Sequence, residues 1–165
     1  MSCFRILRLV LAAASALMIA ACSGGPAGTA PEVTFTGLDG QKITTSDLRG
    51  KVVLIKFWAT DCTTCVAQMP DTIRHYQNLS PRGYETIAVA MQHDPESYVR
   101  NFTESRRLPF MVAMDSDGSI AKAFDDVKMT PTLYLIDKKG NILKRYLGNY
   151  DEDNFLATVN KALAG

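Results

Sequence analysis

The sequence is poor in the residue types that mark several common protein classes. Its 165 residues include four cysteines, two histidines and one tryptophan, and 18 basic against 17 acidic residues leave a net charge of +1. This balance provides no basic surface for nucleic acid, so no nucleic-acid partner is expected. The one long apolar stretch, residues 9–21, is shorter than the about 20 residues that a membrane-spanning helix needs.

That apolar stretch has the features of an export signal. Arg5 and Arg8 precede it, it is rich in alanine, and small residues end it before Cys22. The segment Ile19-Ala20-Ala21-Cys22 resembles a bacterial lipobox, in which the cysteine becomes the lipidated first residue of the mature protein. The alternative is an ordinary signal peptide that ends near a cysteine.

The lipobox predicts how the exported chain is organised before its folded part. We predict a lipoprotein signal peptide at residues 1–21, a lipid on Cys22, and a flexible tether at 22–31 made mostly of small residues and proline. Ser23 resembles the sorting pattern of outer-membrane lipoproteins in Gram-negative hosts. The expected location is the periplasm-facing side of a bacterial cell envelope, with the outer membrane slightly favoured.

Two cysteines remain for the folded part, because Cys3 leaves with the signal and Cys22 would be lipidated. Cys62 and Cys65 follow a β-branched apolar run at 52–59, which predicts a buried strand, and lead into a helical pattern. A cysteine at a helix start is favoured as the thiolate, and a second cysteine one turn later can close a disulfide with it. The pattern therefore indicates a nucleophile with its resolving partner. A passive cross-link is the alternative, although so small a loop would stabilise little.

The rest of the chain alternates strand and helix patterns. The turn Asp39-Gly40 predicts an N-terminal β-hairpin. Apolar periodicity predicts further strands near 86–91, 110–114, 132–136 and 141–147, and helices near 96–107, 120–124 and 151–164. We predict one α/β domain at residues 32–165, with a central mixed sheet and helices on both faces.

Several motifs together resemble the thioredoxin fold. They are Phe57-Trp58-Ala59-x-x-Cys62-x-x-Cys65, the helix-kinking Pro70 five residues after the second cysteine, and Thr130-Pro131-Thr132 before a strand. The N-terminal hairpin, the segment Gln68-Met69-Pro70 and a central βα insert are similar to the membrane-tethered TlpA/ResA/DsbE subgroup. The chain is thus identified as a member of this subgroup and as a bacterial lipoprotein.

The resemblance implies a role for each residue of these motifs. Cys62 would attack a substrate disulfide, and Cys65 would resolve the mixed disulfide that forms. Trp58 would pack beside the pair. Thr130 would precede Pro131, a cis-proline that faces the cysteines and leaves neighbouring backbone free for an extended substrate segment.

Two positions depart from the family pattern. Lys56 lies where thioredoxin has a buried aspartate, so no carboxylate base is assigned there. The lysine would either stabilise the Cys65 thiolate or extend to the sheet edge, and we favour the second interpretation. Asp61 replaces the usual tryptophan, and its carboxylate should disfavour the Cys62 thiolate and make the couple more reducing unless it points into water.

The subgroup also has an acidic residue in its insert near the cysteines. Asp94 and Glu96 are the two candidates in this sequence. A solvated helix-capping role is the alternative for either residue.

The expected function is an envelope-anchored thiol–disulfide oxidoreductase that reduces disulfides in exported proteins, in cytochrome c maturation or a related process. Its expected partners are those proteins, an upstream membrane electron donor, and the membrane through the lipid on Cys22. No cofactor and no resident metal are expected. The alternative is a Cu(I)-binding or metallochaperone module that uses the same two thiolates. His75 lies too far along the helix from Cys65 to complete a zinc site.

Overall fold

The computed structural model describes residues 28–165, so the predicted signal peptide, the lipidated Cys22 and most of the tether lie outside the described residues. Its strands are β1 (Thr34–Thr36), β2 (Lys42–Thr44), β3 (Val52–Trp58), β4 (Tyr84–Ala90), β5 (Met111–Met114), β6 (Thr132–Ile136) and β7 (Ile142–Leu147). Its α-helices are α1 (Thr63–Ala67), α2 (Met69–Leu79), α3 (Glu96–Arg106), α4 (Ser119–Ala123) and α5 (Glu152–Ala164). Short 3-10 turns occupy Ser46–Leu48 and Ser80–Arg82.

β3 is the centre of a five-stranded sheet with the order β5-β4-β3-β6-β7. β4 runs parallel to β3 and β5 parallel to β4, whereas β6 is antiparallel to β3 and β7 antiparallel to β6. All seven residues of β3 are buried, as expected for a strand covered on both faces. The predicted mixed α/β sheet is confirmed, and so are the β1–β2 hairpin and the insert formed by α3 and β5.

The alternating side chains of β3 divide the core into two faces. The odd-numbered residues pack with the β1–β2 hairpin and α4, where Phe35 and Ile120 are buried. The even-numbered residues pack beneath α2, α3 and α5, where Met69, Val99 and Phe155 are buried. Helices therefore lie on both faces, with the larger helical layer on the face that carries the cysteine helix.

The helix after the cysteines is broken near the predicted kink. α1 ends at Ala67 and α2 begins at Met69, with Pro70 in the first turn of α2. A proline fits there because the first N–H groups of a helix have no intrahelical partner. Gln68 lies at the junction between the two helices.

Residues 28–31, which the sequence places in the tether, are packed against the domain. Ala30 is buried and donates its N–H to the Gly140 carbonyl at 2.9 Å, and the Gly28 carbonyl accepts from the Ile142 N–H at 2.8 Å. These contacts with the turn between β6 and β7 are made by backbone atoms. They do not depend on which side chains are present, so the sequence could not predict them. Within residues 28–165, no helix has both the length and the apolar character to cross a membrane.

Candidate active site

The cysteine pair stands just beyond the carboxyl end of the central strand. β3 ends at Trp58, a three-residue loop follows, and Cys62 is the N-cap residue of α1. Cys62 and Cys65 form a disulfide with their Cα atoms 5.2 Å apart. The Cys65 N–H donates to the Cys62 sulfur at 3.1 Å, so the first turn of the helix supplies a donor to the sulfur that heads it. Such a donor favours the thiolate when the disulfide is reduced.

The two sulfurs differ in their access to solvent. Cys62 is partly exposed, whereas Cys65 is fully buried in a cluster with Trp58 and Met69. A substrate can therefore reach Cys62 first. Cys65 can act only on a disulfide that Cys62 has already formed, which is the order that thiol–disulfide exchange requires.

Trp58 forms part of the wall behind the pair. Its side chain is fully buried and lies against Phe102 of α3, with ring centroids 5.1 Å apart. The indole N–H is buried and has no hydrogen-bond partner among residues 28–165. Trp58 thus links the insert helix to the packing around Cys65.

The segment before β6 reaches the same end of the sheet. The Thr130–Pro131 peptide bond is cis, and the next residue, Thr132, pairs with Phe57 at the end of β3. The Pro131 carbonyl accepts a hydrogen bond from the Gly148 N–H at 2.9 Å. In the described part of the chain, no hydrogen bond involves the backbone N–H or C=O of Thr130. This backbone is thus free to pair with another chain.

Lys56 does not extend to the sheet edge, so that interpretation was wrong. β3 is the middle strand, and Lys56 is fully buried on the face that packs beneath α1 and α2. Its Nζ donates to Gln68 Oε1 at 2.9 Å. Burial lowers the pKa of Lys56 to about 8, against the opposing attraction of the Asp71 carboxylate.

Asp61 points into water. Its side chain is 75% exposed and faces the exposed His93, with Nε2 3.5 Å from Oδ1. Water and salt screen a carboxylate in this position, so its influence on the neighbouring Cys62 is small.

The insert contributes Asp94 rather than Glu96 to the active-site loop. Asp94 is buried, and its two carboxylate oxygens accept hydrogen bonds from the backbone N–H and the hydroxyl of Thr60. Glu96 is exposed and pairs with Arg100 at 2.7 Å. The helix-capping interpretation is wrong for both, because Pro95 occupies the N-cap position of α3 and no side chain from residues 28–165 caps that helix.

Residues 28–165 contain no cluster of three or more His, Cys, Asp or Glu side chains placed to hold a metal ion. His75 lies at the interface of α2 and α5, where Nε2 is 2.8 Å from Glu152 and the ring stacks on Phe155. The ring therefore packs away from the cysteine pair.

Sequence reasoning missed three residues that organise this site: Thr60, Gln68 and Gly148. Gln68 could have been found, because it follows Cys65 by three residues and so shares the inner face of the helix. Thr60 and Gly148 carry no comparable signal, since their partners are distant in sequence.

Comparison with known proteins agrees with this geometry. The profile of the Redoxin family matches residues 26–163. Thiol-disulfide oxidoreductase ResA of Bacillus thuringiensis subsp. konkukian is 34% identical over 132 residues, which are 80% of this chain and 75% of the relative. A protein of Neisseria meningitidis assigned to the thioredoxins, solved in solution, is 35% identical with a TM-score of 0.77, covering 82% of this chain and 90% of its own. The pneumococcal exposed lipoprotein thioredoxin Etrx1 of Streptococcus pneumoniae is 27% identical with a TM-score of 0.69, covering 79% and 98%.

The disulfide heading a helix suits the activity in the name of the ResA relative, a thiol-disulfide oxidoreductase. The chain therefore belongs to the Redoxin family, within its TlpA/ResA/DsbE-like members, and is a protein thiol–disulfide oxidoreductase.

Proposed function

We propose that this oxidoreductase reduces disulfides in exported proteins while a lipid on Cys22 holds it at the cell envelope. The observation that supports it most is the asymmetry of the pair: an accessible Cys62 is backed by a buried Cys65 beside a proline segment with free backbone. Cytochrome c maturation is one envelope process that needs such a reductant.

The reaction divides between the two sulfurs. The Cys62 thiolate attacks one sulfur of the substrate disulfide, and the other substrate sulfur leaves as a thiolate that takes a proton from water. Cys65 then gives its proton to water and attacks the Cys62 sulfur, which forms the Cys62–Cys65 disulfide and releases the second substrate sulfur as a thiolate that takes a proton from water. The substrate gains two electrons, so an upstream dithiol donor at the membrane must reduce the pair again.

The surface beside the pair suits an extended protein segment. The free Thr130 backbone can form strand-like hydrogen bonds with a substrate chain. The neighbouring side chains of Met129 and Leu147 are 63% and 51% exposed, and Leu147 pairs with Thr132 directly after the cis-proline. Backbone pairing flanked by apolar contacts favours unfolded or partly folded proteins over small disulfides.

The point where the chain enters the described domain lies far from the cysteine pair, which suits an anchor at Cys22. The chain enters the domain at Gly28, beside the turn between β6 and β7. β6 runs antiparallel to β3, so this turn lies at the end of the sheet opposite Cys62. A protein held through Cys22 would therefore turn its cysteine pair away from the membrane. One structural relative, the pneumococcal protein, is described as an exposed lipoprotein.

A Cu(I) carrier remains the alternative for the same two thiolates. Two-coordinate Cu(I) would use both thiolates, and a donor protein could reach Cys62 but not Cys65, which is fully buried. The burial asymmetry therefore favours disulfide exchange.

The redox state of the pair inside cells tests the reducing direction. Cells are quenched in acid, and free thiols are labelled with a polyethylene-glycol maleimide that shifts the protein on a gel. A reductant supplied by a membrane donor should be mostly reduced, and its steady state should become oxidised when the donor is removed. A pair found oxidised in growing cells with the donor present would overturn the reducing assignment. The double variant Cys62→Ser, Cys65→Ser marks the unshifted position.

A further inference from the structure

A chain of three hydrogen bonds connects the buried lysine to the cis-proline. Lys56 Nζ donates to Gln68 Oε1 at 2.9 Å, and Gln68 Nε2 donates to the Gly148 carbonyl at 3.1 Å. The Gly148 N–H in turn donates to the Pro131 carbonyl at 2.9 Å. The chain joins the central strand, the junction of α1 and α2, and the segment that precedes β6.

The chemistry of the two end groups fixes how the Gln68 amide is oriented. A protonated lysine can only donate, and the Gly148 carbonyl can only accept. The amide must therefore turn its oxygen to Lys56 and its NH₂ to Gly148. A glutamine satisfies both neighbours at once, which an apolar residue or a carboxylate could not do.

Gly148 receives part of its support from this chain of hydrogen bonds. Its φ is +66°, a left-handed conformation, and among residues 28–165 nothing beyond its two chain neighbours lies within 4 Å of the place where a Cβ would lie. Gly148 directly follows Leu147, the last paired residue of β7, and its own N–H and carbonyl bond the Pro131 carbonyl and the Gln68 amide. Since Gly148 in turn holds the Pro131 carbonyl, a shift of Gly148 would displace the free backbone of Thr130.

Stability of the fold does not explain why a lysine is buried at position 56. A buried ammonium is desolvated, and an apolar side chain of similar volume at such a site is often neutral or stabilising. In the described part of the chain, the one hydrogen bond that its ammonium makes is to Gln68. A costly buried group whose hydrogen bond leads to the substrate-facing segment indicates a functional role.

We propose that Lys56 and Gln68 are positioning residues for protein substrates: the lysine orients the Gln68 amide, which fixes Gly148 and so holds the cis-proline segment where the Thr130 backbone can pair with substrate. Neither residue touches the reacting sulfurs in this scheme. The inference rests on the proposed reduction of protein disulfides and deepens it, because it names the residues that favour an extended polypeptide over a small disulfide.

The test measures how well three variants reduce a protein disulfide and a small-molecule disulfide. Lys56→Met and Gln68→Met remove the two polar groups at nearly constant volume, and Gln77→Met makes the same change at an exposed position of α2. Insulin is the protein substrate, and 5,5′-dithiobis(2-nitrobenzoate) is the small disulfide. We expect KM for insulin to rise about fivefold or more in the first two variants, as loss of a typical hydrogen bond would cause. Rates with the small disulfide should stay within about twofold of wild type.

A second measurement follows the link directly and does not depend on activity. Amide hydrogen exchange at Gly148 should accelerate in Lys56→Met and Gln68→Met, because the N–H that it donates to Pro131 is less well held, and should be unchanged in Gln77→Met. Unaltered exchange, or equal losses with both substrates, would overturn the inference. Wild-type protein that fails to reduce insulin would instead overturn the proposed function, so the two failures are distinguishable.

Discussion

The carboxylate of Asp94 holds Thr60 by two hydrogen bonds, one to each carboxylate oxygen, and Thr60 lies two residues before Cys62. The two residues are 34 positions apart, so the contact joins the insert to the loop that leads into the redox pair. The insert thereby supports the loop that positions Cys62.

Replacing Asp94 should loosen that loop and destabilise the fold. Asp94→Ala leaves the Thr60 N–H and hydroxyl without their charged partner, and hydrogen bonds to charged groups contribute about 1.5–3 kcal/mol. We expect the free energy of unfolding to fall by about 2–3 kcal/mol in urea titrations. Glu96→Ala removes a neighbouring exposed carboxylate and should change it by less than about 0.5 kcal/mol. Equal effects of the two substitutions would show that the contact with Thr60 is not stabilising.

Replacing Lys56 should stabilise the protein, in contrast to its expected effect on substrate binding. Its pKa falls from 10.5 to about 8 on folding. The unfolded chain thus keeps this proton between those pH values while the folded protein has released it, so wild-type stability rises with pH across that window. Lys56→Met avoids the cost of burying the charge and should be about 2 kcal/mol more stable than wild type at pH 7, after loss of one hydrogen bond.

The stability advantage of Lys56→Met should shrink between pH 8 and 10.5, because the free energy of unfolding of the wild type rises over that range. Denaturant titrations at pH 7, 9 and 10 measure it. Lys122→Met, on the exposed side of α4, is the control and should track the wild type at every pH. An advantage that is absent at pH 7, or that grows with pH, would contradict the buried charge.

Removing the carboxylate of Asp61 should have a small effect of defined sign. Asp61→Asn should raise the thiolate fraction of reduced Cys62 at a given pH, since a neighbouring negative charge disfavours the thiolate. Because the side chain is 75% exposed, we expect a change of less than about twofold at 0.1 M salt. Thiolate absorbance during a pH titration measures it, with Glu104→Gln as an exposed control on α3. A lower or unchanged thiolate fraction in Asp61→Asn would show that the carboxylate does not act on Cys62.

The sequence predicts the parts of this structure that depend on local pattern. The buried run of β3, the hairpin turn and the cysteine helix all follow from residues close together in the chain, and the structure contains each of them. Burial of Lys56 could not be predicted in this way, because lysine is rarely buried and the strand order that makes β3 central is a long-range property.

The residues that hold the site in place could not be predicted either, because their contacts are also long-range. Gln68 meets the Gly148 carbonyl across 80 residues, and Thr60 meets Asp94 across 34. The motifs therefore locate the two reacting cysteines, whereas the groups that hold the loop and the cis-proline segment depend on tertiary contacts that periodicity does not encode.

The lipid anchor can be tested independently of the fold. If Cys22 carries the lipid, Cys22→Ala should abolish incorporation of radiolabelled palmitate and leave the precursor unprocessed at that site. Cys3→Ala, in the part of the chain that would be removed, is the control and should be labelled like wild type. Labelling that persists in Cys22→Ala would reject the lipoprotein proposal and leave the oxidoreductase assignment intact.

The unequal roles of the two cysteines are tested most directly by trapping substrates as mixed disulfides. Because Cys62 is accessible and Cys65 is buried, Cys65→Ser should attack substrates but be unable to release them, whereas Cys62→Ser should trap few or none. The adducts should appear on a non-reducing gel and disappear with dithiothreitol. If Cys65→Ser accumulates no adducts and both substitutions weaken Cu(I) binding to the same degree, the copper-carrier alternative replaces the exchange mechanism. A strong set of adducts from Cys65→Ser alone is the result predicted by the burial of the two sulfurs.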